Sequence, residues 1–254
     1  MSPDRCGRTV LVTGGAGYVG AHACKALAAA GYVPIVYDNL LRGHRSAVRW
    51  GELVVGDLDD TARVKEVLRQ YGVGAVMHFA ALANVGEAVR DPDGYYRNNV
   101  TGTLSLLSAM READITALVF SSTCAVYGIP GRVPIDEDTP LAPVNPYGEI
   151  KLAIERALGW YGQAYGLRSV SLRYFNAAGA SPDGEVGEQH TPETHLIPLA
   201  IRAALDHAEP IQVFGADYPT PDGTGSATIS MCATSRTPMS VPWLISKRAG
   251  PARS

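Results

Sequence analysis

The sequence predicts an α/β fold built on a doubly wound parallel sheet. Short apolar runs alternate with helical segments between residues 9 and 173, and a glycine-rich turn joins the first apolar run to the first helix. Such alternation places successive strands in parallel and covers both faces of the sheet with helices. The chain has 254 residues, which is enough for one large or two small domains with a substantial core.

Helices and strands follow in chain order from apolar runs and helical periodicity. Strands are expected at Thr9–Thr13, Val33–Tyr37, Leu53–Val55, Ala75–Phe79, Ala117–Ser121, Ser169–Arg173 and Ile211–Phe214. Helices are expected at Ala21–Ala30, Asp60–Tyr71, about Asp93 to Ala113, Pro146–Tyr165 and His195–Asp206. After Asn176 the sequence is rich in loops, which indicates a boundary between a domain of residues 1–176 and a smaller one of residues 177–225.

A glycine-rich turn, Gly14–Gly20, follows the first strand at once. Gly14 permits the tight turn, Gly17 lets a pyrophosphate approach the backbone, and Gly20 lets the next helix pack closely. Asp38 ends the second strand, where an acidic residue binds ribose hydroxyls and repels a 2'-phosphate. The pattern is typical of a Rossmann dinucleotide-binding domain and predicts NAD rather than NADP. The alternative, a glycine turn without a ligand, is disfavoured by the strand, the helix and Asp38.

Tyr147 and Lys151 lie four residues apart at the start of a predicted helix, so they share one helix face. A phenol ionises at a pH of about 10, and a neighbouring positive charge stabilises the phenolate. The spacing therefore predicts a proton-transfer pair in which Lys151 lowers the pKa of Tyr147. Helices also carry this spacing for packing and solubility, and the glycine turn in the same chain favours the catalytic interpretation.

Composition argues against several classes of partner. A net charge of -3 without a clustered basic face gives no sign of nucleic-acid binding. No apolar run reaches the length of about 18 residues that a membrane helix needs, and the N-terminus lacks the apolar core of a signal peptide. The four cysteines show no paired spacing, so reduced thiols in the cytoplasm are expected.

Ordered segments over about residues 8–225 resemble the extended short-chain dehydrogenase/reductase family, and within it the 4-epimerases of UDP-sugars. These segments are Gly14–Gly20, His78–Glu87, Tyr96–Gly102, Ser121–Gly128, Tyr147 with Lys151, Leu172–Gly179 and Val213–Gly225. The resemblance implies an NAD-dependent isomerase of galactose metabolism, which interconverts UDP-glucose and UDP-galactose by oxidation and re-reduction at C4. It also implies a UDP-sugar-binding role for residues 177–225, and a homodimer built from the helices that start near Asp93 and Pro146.

The resemblance implies roles residue by residue. Cofactor contacts are expected at Gly14, Gly17, Tyr18, Val19, Gly20, Asp38, Asn39, Asp57, Leu58, Phe79, Ala80, Ala81, Asn99, Tyr147, Lys151 and Tyr174. Substrate contacts are expected at Thr123, Tyr147, Asn176, His195, Leu196 and Phe214. In the catalytic set, Tyr147 takes the proton of the sugar's 4-hydroxyl, Lys151 holds the nicotinamide ribose, and Thr123 hydrogen-bonds the 4-oxygen.

The residues after Thr123 help to choose among related enzymes. In the sugar-nucleotide dehydratases, an Asp-Glu pair follows the corresponding threonine and eliminates water. Cys124 and Ala125 stand there instead, and neither can replace a carboxylate as acid or base. Epimerase chemistry is therefore favoured. A UDP-pentose 4-epimerase, another sugar-nucleotide epimerase or dehydratase, and a non-catalytic nucleotide-binding remnant are the alternatives.

Other polar residues receive a structural interpretation. Cys124 is interpreted as a small core side chain, because no histidine is evidently placed to activate it. His78 is interpreted as a satisfied, semi-buried imidazole at a strand end. His190, Glu193 and His195 lie within six residues, but their spacing fits neither a helical histidine pair nor a zinc-finger pair. No metal site is therefore expected.

The tail departs from the family after Gly225. The family continues V-R-D-Y-I-H-V and, past one variable residue, D-L-A-D-A-H-V, whereas residues 226–240 show no periodicity. Joining the last base of each codon to the first two of the next permits the family string. Met231/Cys232 forces valine, because the methionine codon ends in G, and the register holds through Met239/Ser240. Residues 226–254 are therefore expected to be out of frame after a one-base loss near codon 225; a natural divergent tail is the alternative.

Loss of frame would remove a further strand and most of the clamp on uridine and phosphate. The 254-residue chain is then expected to expose apolar surface, bind nucleotide poorly and turn over no UDP-sugar.

Adding one base near codon 225 should open a frame that spells the family string and continues through the rest of the substrate domain. Reading the nucleotides across codons 220–245 tests this, because the protein sequence leaves most third bases free. A stop codon there, or third bases that spell another string, contradicts the expectation.

Overall fold

The computed structural model describes residues 7–205, 210–213, 215–218, 220–225 and 228–232. At its centre is a six-stranded sheet in the order β3-β2-β1-β4-β5-β6, and every neighbouring pair is parallel. The strands are β1 (Thr9–Thr13), β2 (Val33–Asp38), β3 (Glu52–Val55), β4 (Ala75–His78), β5 (Ala117–Ser121) and β6 (Arg168–Leu172). This is the strand order of the doubly wound dinucleotide-binding fold, so the predicted fold class is confirmed.

The helices lie close to the predicted positions. They are α1 (Tyr18–Ala29), α2 (Thr61–Gln70), α3 (Val85–Arg90), α4 (Pro92–Tyr95), α5 (Gly102–Glu112), α6 (Pro146–Tyr165) and α7 (Leu196–Ala204). The long helix predicted from about Asp93 is less regular than expected, because a π-helical stretch at Tyr96–Thr101 joins α4 to α5. Such stretches are frequent at functional sites, and this one contains Asn99.

Successive residues of the central strands pack on opposite faces of the sheet. Leu11 of β1 joins the core formed with α2, α5 and α6, whereas Val10 and Val12 join a second core that includes α1. All of β1 is buried, which is typical of a strand covered on both faces. Because all six strands are parallel, their carboxyl ends lie at the same end of the sheet, and ligands bind there in open parallel sheets.

The described part of residues 177–225 contains one helix, α7, and its apolar side chains are open to solvent. None of its residues is buried, and Leu196 and Ile201 are 64% and 54% exposed. An open apolar face of this kind is unusual for a complete domain. That residues 177–225 form only part of a domain stays a prediction.

A separate two-stranded parallel sheet pairs β7 (Asn176–Ala178) with β8 (Ile229–Met231). β8 lies in the tail, whose sequence shows no periodicity. The strand predicted at Ile211–Phe214 is wrong over residues 211–213, which form no strand, and Phe214 lies outside the described residues. The rest of the tail, residues 226–227 and 233–254, also lies outside them. None of the described helices is long and apolar enough to cross a membrane.

Candidate active site

The glycine turn after β1 packs too closely for side chains. Gly14 has a φ of +70°, and a Cβ at this position would lie 2.5 Å from the backbone nitrogen of Ala80. A Cβ on Gly20 would lie 2.2 Å from the carbonyl oxygen of Gly14. Gly17 is the N-cap of α1, and no side chain caps this helix end. The turn therefore leaves backbone N–H groups at the N-terminus of α1, where a phosphate is stabilised. This cradle fits a dinucleotide.

Asp38 lies at the end of β2 beside the glycine turn. Its carboxylate accepts hydrogen bonds from the backbone nitrogens of Ala16 (3.0 Å) and Leu40 (2.8 Å). Burial raises the pKa of Asp38, and these two hydrogen bonds oppose the rise. The neighbouring Asn39 donates to the Asp57 carboxylate at 2.8 Å, which joins the ends of β2 and β3. The acid predicted to bind ribose is thus held in place by the turn that would hold the pyrophosphate.

The segment after β4 is fixed by Asn99 from the π-helical stretch. The Asn99 carboxamide accepts from the Leu82 nitrogen at 2.8 Å and donates to the Leu82 oxygen at 2.9 Å. Phe79 in turn donates its backbone N–H to the oxygen of Thr13 at 2.9 Å. Asn99 therefore fixes the segment after β4, which contains the predicted cofactor contacts Phe79, Ala80 and Ala81.

Tyr147 and Lys151 lie on the first turns of α6 as predicted, and Lys151 is almost completely buried. Its side chain is 2% exposed, and its Nζ donates to the Ser121 oxygen at the end of β5 at 2.7 Å. The same Nζ lies 5.7 Å from the centroid of the Tyr147 ring and 4.9 Å from that of Phe120. Lys151 thus joins α6 to the strand end beside the predicted base.

The expected effect of Lys151 on the pKa of Tyr147 is not what the structure shows. Burial raises the pKa of Tyr147 above its ordinary value; Tyr174, Cys124 and Tyr95 add to the rise, and a hydrogen bond with Thr123 opposes it. Burial also lowers the pKa of Lys151 to about 7, with a partial offset from Glu155. The prediction rested on charge proximity alone, whereas the loss of solvation is the largest cause of the pKa shift for both groups.

Thr123 follows β5 and caps the short 3₁₀ helix Cys124–Tyr127, accepting from the Ala125 nitrogen at 3.2 Å. Burial raises the pKa of the Cys124 thiol, so this cysteine is a neutral side chain rather than a thiolate nucleophile. Tyr174 also lies at this strand end, where its hydroxyl hydrogen-bonds the Ser121 hydroxyl and its pKa is raised to about 12 by burial. The predicted residues of β5, α6 and the loop after β6 therefore come together.

The residues predicted to contact substrate do not come together as the catalytic residues do. Asn176 donates its side-chain N–H to the Thr228 oxygen at 3.1 Å, so its amide is engaged with the tail. His195 occupies the N-cap position of α7 without a capping hydrogen bond from its side chain, and its Nδ1 lies 2.6 Å from Glu188 Oε1. Leu196 begins α7 and is exposed. Phe214 lies outside the described residues.

A partly buried ion pair between α6 and the residue after β6 was not predicted from the sequence. Glu155 and Arg173 lie 2.6 Å apart, and Glu155 also accepts from the Ser122 hydroxyl. Arg173 donates to the Tyr127 hydroxyl at 3.0 Å. Glu155 follows Lys151 by four residues, so the helical spacing that found Tyr147 could have found it too.

His78 has both ring nitrogens hydrogen-bonded, as predicted, but it is fully buried rather than semi-buried, with 2% of its surface exposed. Its two ring nitrogens hydrogen-bond the hydroxyls of Thr13 (2.7 Å) and Thr103 (2.9 Å). Burial lowers the pKa of His78 to about 3, and the charge of Lys151 is a smaller cause in the same direction. The imidazole is therefore neutral and satisfied.

Comparison with known proteins agrees with this geometry. Residues 10–227 match the model of the NAD dependent epimerase/dehydratase family. A UDP-glucose 4-epimerase of Rhizobium leguminosarum bv. trifolii is 57% identical over 218 residues, which are 86% of this chain and 67% of that protein. The chain thus spans about two thirds of the length of such curated relatives.

Two solved structures share the fold and were crystallised with cofactor. The UDP-glucose 4-epimerase of Brucella ovis in complex with NAD is 53% identical, with a TM-score of 0.84 over 89% of this chain and 69% of that one. The enzyme of Bifidobacterium longum in complex with NAD+ and UDP is 36% identical, with a TM-score of 0.84 over 88% of this chain and 70% of that one.

The crowding around Gly20 predicts that Gly20→Ala lowers the free energy of unfolding by about 1–3 kcal/mol, because backbone atoms must move. Gly159→Ala in α6 is the matched control, since its methyl group meets no atom within 4 Å among the described residues. That control should be neutral or stabilising by about 0.5–1 kcal/mol. Denaturant unfolding of both variants measures the change in the free energy of unfolding. Equal changes in the two variants would contradict the close packing around Gly20.

Proposed function

The chain belongs to the NAD dependent epimerase/dehydratase family, and we propose that its site interconverts UDP-glucose and UDP-galactose with NAD as the bound cofactor. The observation that carries the proposal is the convergence of Thr123, Tyr147 and Lys151 at the end of β5. These three groups lie at the carboxyl end of the parallel strands, where the glycine turn and Asp38 also lie.

The glycine turn and Asp38 hold the cofactor in this proposal. The N-terminus of α1 receives the pyrophosphate, and the Asp38 carboxylate receives ribose hydroxyls while excluding a 2'-phosphate. Lys151 keeps N–H donors beyond the one given to Ser121, and these suit the nicotinamide ribose. When bound, NAD supplies the hydride acceptor and then the hydride donor within one turnover.

Tyr147 handles the proton at the sugar's 4-oxygen. The phenol is protonated at neutral pH in the described structure, because burial raises its pKa. This state suits the return of a proton to the 4-oxygen, and taking the proton away requires the phenolate. Hydrogen bonding to Thr123 favours the phenolate, and so does any charge that Lys151 retains.

The neighbours of Thr123 support epimerisation over elimination. Cys124 and Ala125 occupy the first positions of the 3₁₀ helix, and neither supplies a carboxylate. Carbon–oxygen bond cleavage needs an acid to protonate the leaving hydroxyl, and epimerisation needs only the group that serves the 4-oxygen. The cysteine thiol, whose pKa is raised by burial, cannot fill that role at neutral pH.

The proposal extends to assembly and compartment. A homodimer through α5 and α6 is supported by the exposed side chains of Leu104 and Trp160 on these helices. Such apolar groups are more stable when a partner covers them. Cytoplasmic location is supported by the free thiols of Cys24, Cys124 and Cys232 among the described residues.

Tyr147→Phe tests the catalytic role in a chain with the frame restored at codon 225. The rate of conversion of UDP-galactose to UDP-glucose should fall by about 100- to 10,000-fold, because only the proton-transfer group is removed. The affinity for NAD, measured by fluorescence titration, should stay unchanged.

Tyr165→Phe is the matched control, since it removes a hydroxyl from the same helix at its exposed end. A Tyr147→Phe variant with unchanged rate would exclude Tyr147 as the proton-transfer group. If the parent protein instead accumulated a 4-keto-6-deoxy sugar, the reaction would be dehydration rather than the proposed epimerisation.

A further inference from the structure

Four side chains on the loop between β7 and α7 converge on one point. Glu188, His190, Glu193 and His195 each offer one nitrogen or oxygen atom, and these four atoms lie within 4.8 Å of one another. The spacing of His190, Glu193 and His195 in the sequence predicted no metal site. The fold of the loop brings a fourth residue, Glu188, to the other three.

The distances between nitrogen and oxygen atoms fit one small ion. Nδ1 of His195 lies 2.6 Å from Glu188 Oε1 and 3.4 Å from Glu193 Oε1. Nδ1 of His190 lies 3.2 Å and 3.8 Å from the same two oxygens. Zinc bonds of about 2.0–2.1 Å in a tetrahedron separate the ligand atoms by about 3.3 Å, so the four distances bracket the expected value.

The carboxylates of the cluster are buried and incompletely satisfied. The side chains of Glu193 and Glu188 are only 1% and 9% exposed. Glu188 Oε1, Glu193 Oε2 and His190 Nδ1 are buried atoms that make no well-formed hydrogen bond, although Glu188 Oε1 lies 2.6 Å from His195 Nδ1 and 3.2 Å from His190 Nδ1. A buried polar atom that lacks a hydrogen bond is costly, and a cation at the centre of the cluster would satisfy these atoms together.

The carboxylate of Glu193 is also fixed in position by the backbone. Its Oε1 accepts hydrogen bonds from the nitrogens of Thr194 (2.8 Å) and His195 (2.9 Å). These bonds hold the side chain over the start of α7, and a ligand held in this way loses little entropy when it binds an ion.

We propose that Glu188, His190, Glu193 and His195 bind one Zn²⁺ ion. Two imidazoles favour a transition metal over Mg²⁺ or Ca²⁺, and two carboxylates complete a tetrahedral set that zinc accepts. The ion closes the loop against the N-terminus of α7. The His190 ring also packs edge-on against Tyr18 in α1, with centroids 6.2 Å apart. The zinc site therefore connects the glycine turn to the helix that begins with the predicted substrate contacts His195 and Leu196.

The experiment uses the 254-residue protein after treatment with a chelator, and Zn²⁺ alone as the probe. Calorimetric titration should give one Zn²⁺ per chain, and saturation should raise the melting temperature. Co²⁺ should give the intense visible absorption of a tetrahedral complex. Mg²⁺ and Ca²⁺ at the same concentrations should not displace Zn²⁺.

Glu193→Gln and Glu188→Gln keep side-chain shape and remove charged ligands. Each should weaken Zn²⁺ binding by about 100-fold or more, since changes outside the ligand set already cost about 10- to 100-fold. Gln189→Ala, an exposed neighbour in the same loop, is the control and should bind like the parent. Circular dichroism of each variant establishes that it is folded.

Absence of binding by the folded parent protein would overturn the proposal, and it would leave ion pairs between protonated histidines and the two glutamates as the explanation of the cluster. Equal affinity in the folded Glu193→Gln and Glu188→Gln variants, or equal loss in Gln189→Ala, would also overturn it. None of these readouts depends on epimerase activity, so the zinc site and the proposed function are tested separately.

Discussion

Burial of the Lys151 ammonium group is the constraint on which the candidate active site depends. Its Nζ reaches the Ser121 oxygen at 2.7 Å and lies near the rings of Phe120 and Tyr147. That contact ties α6 to the end of β5, and it therefore sets where Tyr147 stands relative to Thr123. The cost is desolvation, which lowers the pKa of Lys151 to about 7 and leaves its charge sensitive to small changes in the surroundings.

The neighbours of Lys151 show how that charge is tolerated. His78 is kept neutral by burial and by the charge of Lys151, so it adds no repulsion. Glu155, one turn further along α6, raises the pKa of Lys151 and is itself paired with Arg173. Because the lysine pKa is lowered on folding, the unfolded chain binds the extra proton between pH about 7 and about 10.5. This group therefore makes the folded state more stable as pH rises through that range.

Sequence reasoning succeeded where a pattern is local and repeated. The six strands of the large sheet, the glycine turn and α6 were predictable because apolar runs, Gly14–Gly20 and Pro146 each carry a short-range signal. The strand expected at Ile211–Phe214 is wrong over residues 211–213. The π-helical stretch around Asn99 was not predictable, since no residue type encodes it. The direction of the Tyr147 pKa was wrong because burial is a property of the fold. The Glu188 cluster was missed because loop geometry, rather than spacing, brings its members together.

The most direct test is to measure the pKa of Lys151 by NMR titration of the lysine ε-carbon signals. A Lys151→Met variant identifies the signal by its absence. The buried geometry predicts a titration near pH 7, far below the ordinary value of 10.5. A titration near 10.5 would show that the ammonium is solvated, and it would contradict the arrangement of Lys151, Ser121 and Tyr147 on which the proposed chemistry is built.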